Sequence, residues 1–216
     1  MQSSHSGYLK LIIGPMFSGK STELLHTIHS YRSIGKEVLV INHAFNNRYD
    51  STTISTHDKA VLDTDSITAL NLGDIENDKS IHARIQTADI ICIEELQFFE
   101  DAKDIVIKWV NEYHKCVVCA GLIADYKCEL FGDVGKLIPY ADEIHHVKAL
   151  CCVCNDGTAG LFTQRVSPHQ HQVAVGTNDM YRVVCRKHYV MCGDCQHDDN
   201  NDDYQVGYSY AINFTF

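Results

Sequence analysis

The sequence predicts an α/β fold, a parallel sheet flanked by helices with a small metal-binding unit appended. Three observations carry that expectation. Strand-like apolar runs alternate with helical stretches, a glycine-rich loop separates the first strand from the first helix, and Cys and His pairs cluster after residue 150. Strands that read as unbroken apolar runs are covered on both faces, as in a parallel sheet with helices on either side.

In chain order, YLKLII (8–13) reads as a strand, Lys20 to about Ile34 as a helix and VLVI (38–41) as a strand. ADIICI (88–93) follows as a strand, about Ala102 to Tyr113 as a helix and CVVCAGLI (116–123) as a strand. This is a βαβ pattern. After residue 150 long apolar runs give way to CCVC, NDGTAG, SPHQHQ and CRKH, the composition of a small loop-rich unit that needs a staple. Three regions are expected: an α/β domain over 1–150, the small unit over 151–191, and an acidic, Asn-rich flexible tail over 192–216.

With 216 residues, the chain is long enough to bury a core as one domain with an appendage. No run approaches the roughly eighteen apolar residues of a membrane span. MQSSHSGY has neither the basic nor the apolar region of a secretory signal, so an intracellular, cytoplasmic protein is expected. Many of the ten cysteines lie inside strand-like runs (Cys92, Cys116, Cys119), which suits buried thiols or metal ligands better than disulfides. The formal net charge of −10 argues against broad capture of nucleic acid, which relies on basic patches. Any phosphate must be held locally.

GPMFSGKST (14–22) supplies that local grip. Gly14, Gly19, Lys20 and Ser21 fit GxxxxGK[ST], directly after a strand and at the opening of a helix. Glycines let backbone N–H groups converge on phosphate oxygens, and the helix N-terminus adds a positive field. Lys20 reaches the β- and γ-phosphates and the Ser21 hydroxyl suits Mg²⁺. Such a site needs an acid near the metal, and open α/β sheets place ligands beyond the carboxyl ends of their strands. Glu94 and Glu95 sit at one such end. Successive side chains of an extended chain point to opposite sides, which suggests Glu94 toward Mg²⁺ and Glu95 toward the phosphoryl acceptor.

Cys151 and Cys154 form a CxxC, and Cys185 with His188 forms a CxxH. Two such pairs make the closed tetrahedral shell of a structural Zn²⁺. Cys152 offers an alternative register to Cys151, and a second CxxC, Cys192 with Cys195, offers an alternative pairing.

Taken together, these pieces resemble the cytosolic and viral type of thymidine kinase, a P-loop family with a zinc-bearing lasso domain. The resemblance runs from about Lys10 to Tyr189. It rests on GPMFSGKST (14–22), RYD (48–50), STHD (55–58), EELQFF (94–99), LIPYADEI (137–144), CCVC (151–154), FTQR (162–165) and DMYRVVCRKH (179–188). The resemblance implies a P-loop NTPase-like sheet with a zinc-binding lasso, and transfer of the γ-phosphoryl group of ATP, with Mg²⁺, to the 5′-hydroxyl of thymidine or deoxyuridine. Products would be dTMP and ADP, for salvage of DNA precursors. It further implies feedback binding of dTTP and a homotetramer, with a dimer as the fallback.

Family roles then fall on matching positions. Glu95 is the implied catalytic base. Gly14, Pro15, Met16, Phe17, Ser18, Gly19, Lys20, Ser21, Asn46, Asn47, Arg48, Glu94 and Gln97 are implied on the ATP and Mg²⁺ side. Met16, Phe98, Leu122, Tyr126 and Phe131 would line the base pocket, with Thr163, Gln172, Val173, Ala174, Val175, Gly176 and Tyr181 on the lasso side. Cys151, Cys154, Cys185 and His188 would hold Zn²⁺. Two departures stand out: Glu94 where the family usually has Asp, and Ile123 where it tends to have Asp. They motivate an alternative reading, a catalytically weak relative that binds deoxynucleotides as a sensor. A third reading, a P-loop protein whose zinc lobe grips nucleic acid or protein, has the acidic charge balance against it as far as nucleic acid goes.

Overall fold

A computed structural model of the chain describes residues 6–44, 53–55, 61–63, 66–166 and 180–193. Its first half runs Tyr8–Ile13 (β1), Lys20–Ser33 (α1), Val38–His43 (β2), Thr53–Ser55 (β3), Val61–Asp63 (β4), Ser66–Ala69 (β5), Leu72–Asn77 (α2), Lys79–Thr87 (α3) and Ile90–Ile93 (β6). The second half runs Ala102–Asn111 (α4), Cys116–Gly121 (β7), Val134–Leu137 (α5), Glu143–His146 (β8), Ala149–Leu150 (β9), Ala159–Gly160 (β10), Phe162–Arg165 (β11), Tyr181–Val184 (β12) and Arg186–Gly193 (α6).

Six strands form one sheet in the order β5-β2-β6-β7-β1-β8, every neighbouring pair parallel. Successive residues of the apolar runs feed opposite faces, which is why those runs show no polar alternation. Leu11, Ile41, Ile91, Ile93 and Cys119 pack with Phe99, Val106 and Trp109 on one face. Ile12, Val40, Cys92, Val118 and Ala120 pack beneath Leu24, Leu25 and Ile28 of α1 on the other. The register aligns Ile13 with Gly121 and Ile93 with Cys119, so β1 and β7 end level and β6 ends two residues before them, all toward the carboxyl end of the parallel sheet. The loop 14–19 and the Glu94–Glu95 pair therefore leave the sheet at its carboxyl end.

The strands and helices expected from the sequence are present; β1 keeps its expected bounds, β2 runs on to His43, and the others are trimmed at an end. β7 stops at Gly121 because the Leu122 N–H leaves the ladder and donates to Gln97 Oε1 at 2.9 Å. α4 stops at Asn111, and the chain turns back as the Lys115 N–H donates to the Trp109 carbonyl at 2.9 Å, with His114 at φ 54°. Cys92 and Cys119 are buried free thiols, as their place in apolar strands suggests. Among the described residues no helix is long and apolar enough to cross a membrane.

Helices α2 and α3 carry a feature with a measurable consequence. The Glu76 carboxylate accepts from Lys108 Nζ at 2.6 Å, Trp109 Nε1 at 2.8 Å and Tyr113 Oη at 2.5 Å, tying α2 to α4. Burial works against the charged form, but these donors outweigh it and hold the carboxyl below its usual range. Glu76→Ala strands the indole N–H of the buried Trp109, so it is expected to cost about 2–4 kcal/mol, read as a melting temperature lower by roughly 5–15 °C. Since the folded pKa is depressed, this stabilisation is present above the ordinary carboxyl pKa and fades as pH falls through the folded value. Thermal melts of parent and variant should therefore draw closer as the pH falls into the acid range; a gap that does not narrow in acid would contradict the assignment.

Candidate functional site

The loop between β1 and α1 is built to approach a ligand closely. Gly14 has no room for a side chain, since a Cβ there would lie 2.4 Å from the Val147 carbonyl oxygen. Gly19 caps α1 with φ 85°, in the left-handed region that glycine enters without steric cost, and no side chain caps the helix. The first N–H groups of α1 are thus left to an external acceptor, and Glu23 already completes the first helical turn back to Gly19. Phe17 also has positive φ, at 58°, a strained state for a non-glycine residue that clusters at ligand-binding sites. Ser18 Oγ and Lys20 Nζ both donate to the Pro15 carbonyl, at 2.9 and 2.7 Å, folding the lysine over its own loop. Met16 spends its N–H on Thr163 Oγ1 at 3.0 Å, which joins this loop to β11.

Glu94 is 3% exposed and accepts from the Ser21 hydroxyl at 2.5 Å, while its second oxygen, Oε2, is buried with no hydrogen-bond partner among the described residues. Burial, reinforced by the neighbouring Glu95 carboxylate, pushes the Glu94 carboxyl up to about 8. Its extra methylene relative to an aspartate is taken up in reaching Ser21 directly. Glu95 does not continue the strand. Its backbone turns into the left-handed region at φ 55° and ψ 43°, and its Oε2 accepts from Gln97 Nε2 at 2.5 Å. The two carboxylates do part ways, but strand alternation is not the reason: β6 ends at Ile93, and the left-handed turn redirects Glu95. Desolvation lowers the Lys20 pKa, and Glu95 and Glu94 both oppose that shift, so the ammonium and both carboxylates share one small volume.

Beside this cluster lies an aromatic wall. Phe98 and Phe131 meet edge to face with ring centroids 5.5 Å apart. His43, buried at the end of β2, packs against Phe98 at 5.5 Å and edge-on to Phe99 at 4.7 Å. Residues 123–131 form a tight hairpin, with the Phe131 N–H on the Ile123 carbonyl and the Asp125 N–H on the Glu129 carbonyl. Ile123, where the resemblance expected an acid, packs against the sheet core instead. Tyr126, in this hairpin, faces the Arg165 guanidinium at 4.0 Å from its ring centroid; Arg165 also lies 5.0 Å from the Tyr181 ring and donates to its hydroxyl. The Tyr126 carbonyl accepts from the Tyr189 hydroxyl at 3.1 Å. The hairpin is thus held by two grips from the small unit.

The small unit gathers Cys151, Cys154, Cys185 and His188, whose ligand atoms all lie within 4.8 Å of one another. Cys154 Sγ and Cys185 Sγ are 3.7 Å apart, and His188 Nδ1 is 3.5, 3.5 and 3.4 Å from the sulfurs of Cys151, Cys154 and Cys185. A tetrahedral zinc with ordinary bond lengths sets S···S near about 3.8 Å and S···N near about 3.6 Å. The cluster has that size. Burial opposes the Cys151 thiolate, yet the backbone N–H groups of Cys154, Cys185 and Val153, with His188, outweigh it and bring the pKa down to about 6. Burial and the adjoining Cys151 and Cys185 thiols push Cys154 up to about 11. Cys152 is exposed, which removes the alternative register. Around the cluster Phe162 stacks on Tyr189 at 4.9 Å, and Arg186 covers Phe162 at 4.7 Å.

Of the residues expected at the site, Gly14 to Ser21, Glu94, Glu95 and Gln97 come together at the ends of β1 and β6. Phe98, Leu122, Tyr126, Phe131, Thr163 and Tyr181 flank them, and the four metal ligands form one cluster. Asn46, Asn47, Arg48, Gln172, Val173, Ala174, Val175 and Gly176 lie outside the described residues, as do Cys195 and the side chain of Cys192. Gln97 spends its amide within the protein, donating to Glu95 and accepting from Leu122. Sequence reasoning passed over Arg165, Tyr189 and Asn42. Arg165 sits inside a motif quoted above and Tyr189 directly after another, and their partners are too far along the chain for spacing to reveal.

A family model described as thymidine kinase matches residues 7–189. A thymidine kinase of Oryza sativa subsp. japonica is 35% identical over 190 residues, covering 88% of this chain and 68% of its own length. One of Amsacta moorei entomopoxvirus is 33% identical over 183 residues, 84% of this chain and 97% of its own. Another, of Vaccinia virus (strain Ankara), is 33% identical over 186 residues, 86% of this chain and 98% of its own.

Proposed function

The chain belongs to the thymidine kinase family, and from that premise we propose that it transfers the γ-phosphoryl group of ATP to the 5′-hydroxyl of thymidine, giving dTMP and ADP. The observation that carries this reading is the meeting of Lys20, Ser21, Glu94 and Glu95 at the carboxyl ends of β1 and β6. A bond from the 5′-oxygen to the γ-phosphorus forms as the bond to the ADP oxygen breaks, and the hydroxyl proton passes to Glu95. Deprotonation is late in a loose transfer, so positioning and charge neutralisation carry most of the rate.

The residues present fit Mg²⁺. Ser21 keeps lone pairs free while its proton is committed to Glu94, and Glu94 Oε2 is a buried oxygen lacking a partner. Mg²⁺ would be held by Ser21 and faced by Glu94, supplying positive charge to the phosphates. Lys20 swings from the Pro15 carbonyl onto the phosphates, the open N-terminus of α1 binds their oxygens, and Gln97 holds the Glu95 carboxylate in place. Residues 1–150 serve nucleotide binding and chemistry. Residues 151–191, stapled by Zn²⁺ at Cys151, Cys154, Cys185 and His188, close on the base through the Thr163, Arg165 and Tyr189 contacts. The family resemblance extends the reading to deoxyuridine as a substrate, dTTP feedback, a homotetramer and cytoplasmic salvage.

Initial rates with ATP, Mg²⁺ and a panel of nucleosides test the substrate class. Thymidine should give monophosphate and ADP in equal amounts, deoxyuridine the same at lower kcat/KM, and purine nucleosides none. ATP binding with no monophosphate from any pyrimidine nucleoside would overturn the reading in favour of a deoxynucleotide sensor.

A further inference from the structure

We propose that Asn42 is a third oxygen donor facing the divalent cation at the phosphate loop, alongside Ser21 and Glu94. The inference rests on the nucleotide-binding reading above and extends it to a residue that no motif points to. Asn42 lies near the end of β2, 5% exposed. Its Nδ2 donates to Ser66 Oγ at 3.2 Å, but its Oδ1 is buried with no hydrogen-bond partner among the described residues. The other such carboxylate or amide oxygen is Glu94 Oε2. A buried acceptor left without a donor costs roughly 1–3 kcal/mol, so two together call for a shared positive ligand.

The register sets the two residues side by side. β2 and β6 are parallel neighbours with Val40 opposite Cys92 and Ile41 opposite Ile93, and the Glu94 N–H donates to the Ile41 carbonyl at 2.9 Å. One step further along, Asn42 stands opposite Glu94. Val40 packs under α1 and Ile41 on the far face, so alternation along β2 returns Asn42 to the α1 side, where the Glu94 carboxylate accepts from Ser21 of α1. Adjacent strands lie about 4.8 Å apart, well within the span of two short side chains around one ion. Ser21, on the first turn of α1, already touches Glu94 from above. Hydroxyl, carboxylate and amide oxygens are the donor set a hard divalent cation takes, with water and phosphate completing its shell. Two carboxylates of one site would repel each other; an amide adds an oxygen without charge.

The test is Mn²⁺ binding to the enzyme–ADP complex, followed by the EPR signal of free Mn²⁺, in the parent, Asn42→Leu and Asn42→Asp. Asn42→Leu should weaken Mn²⁺ binding by about tenfold or more. ADP affinity in EDTA, zinc content and melting temperature should stay at parental values. Asn42→Asp, which keeps an oxygen, should bind Mn²⁺ at least as tightly as the parent. Parental Mn²⁺ affinity in Asn42→Leu overturns the proposal, and so does loss of Mn²⁺ binding in a folded Asn42→Asp. If the parental ADP complex itself binds no Mn²⁺, the cation reading of Ser21 and Glu94 falls first and takes Asn42 with it, a result distinguishable from failure at Asn42 alone.

Discussion

Glu95→Gln is expected to lower kcat by about 10²–10⁴-fold while leaving ATP affinity within a few-fold of the parent. Glutamine has the size of the carboxylate and still offers an oxygen to Gln97 Nε2, so the left-handed turn at residue 95 and the wall beyond it should survive. What is lost is the capacity to take the 5′-hydroxyl proton, together with a carboxylate beside Lys20. Nucleotide affinity, set by the loop backbone, Lys20 and Ser21, should change little. Initial rates and calorimetric titration with ATP give both quantities. A kcat within a few-fold of the parent would show that Glu95 is not the base.

Cys185→Ser should abolish stoichiometric zinc and with it the affinity for thymidine, while ATP binding persists. A structural site holds its loops only through its ligands, and three sulfurs and an imidazole packed 3.4–3.7 Å apart have little reason to stay together without a cation. The effect should reach the base side by two routes. α6 carries Tyr189, which grips the Tyr126 carbonyl, and β11 with β12 carries Arg165 and Tyr181 against the Tyr126 ring. The nucleotide loop meets this unit at the Met16–Thr163 bond and is built on β1 and α1. The readouts are metal content and thymidine KM; a variant lacking zinc that keeps parental thymidine KM would contradict the coupling.

How far the sequence revealed this molecule depended on how local each cause was. β1, the glycine loop and α1 were legible because strand, turn chemistry and helix follow each other within 26 residues, Tyr8 to Ser33. The metal cluster was legible because each ligand pair is spaced within one turn. Helices α2 and α3 were not, because their segment is rich in charge and only Leu72, Ile75 and Ile85 are buried in it. Their anchor, Glu76, draws on donors 32 to 37 residues away. The strand-alternation argument for Glu94 and Glu95 does not apply as made, since Glu95 takes a left-handed backbone conformation. Asn42 was invisible in sequence for a related reason. A lone Asn at a strand end reads as a turn signal, and only the pairing of β2 with β6 sets it beside Glu94.

The central claim is that this chain moves a phosphoryl group from ATP to thymidine at the ends of β1 and β6. A single-turnover experiment with enzyme in excess over γ-³²P-labelled ATP, with Mg²⁺ and thymidine, tests it most directly. The account predicts label appearing in dTMP as it leaves ATP, at a rate that collapses in Glu95→Gln. Label that stays in bound ATP, or is released only as inorganic phosphate, would contradict it.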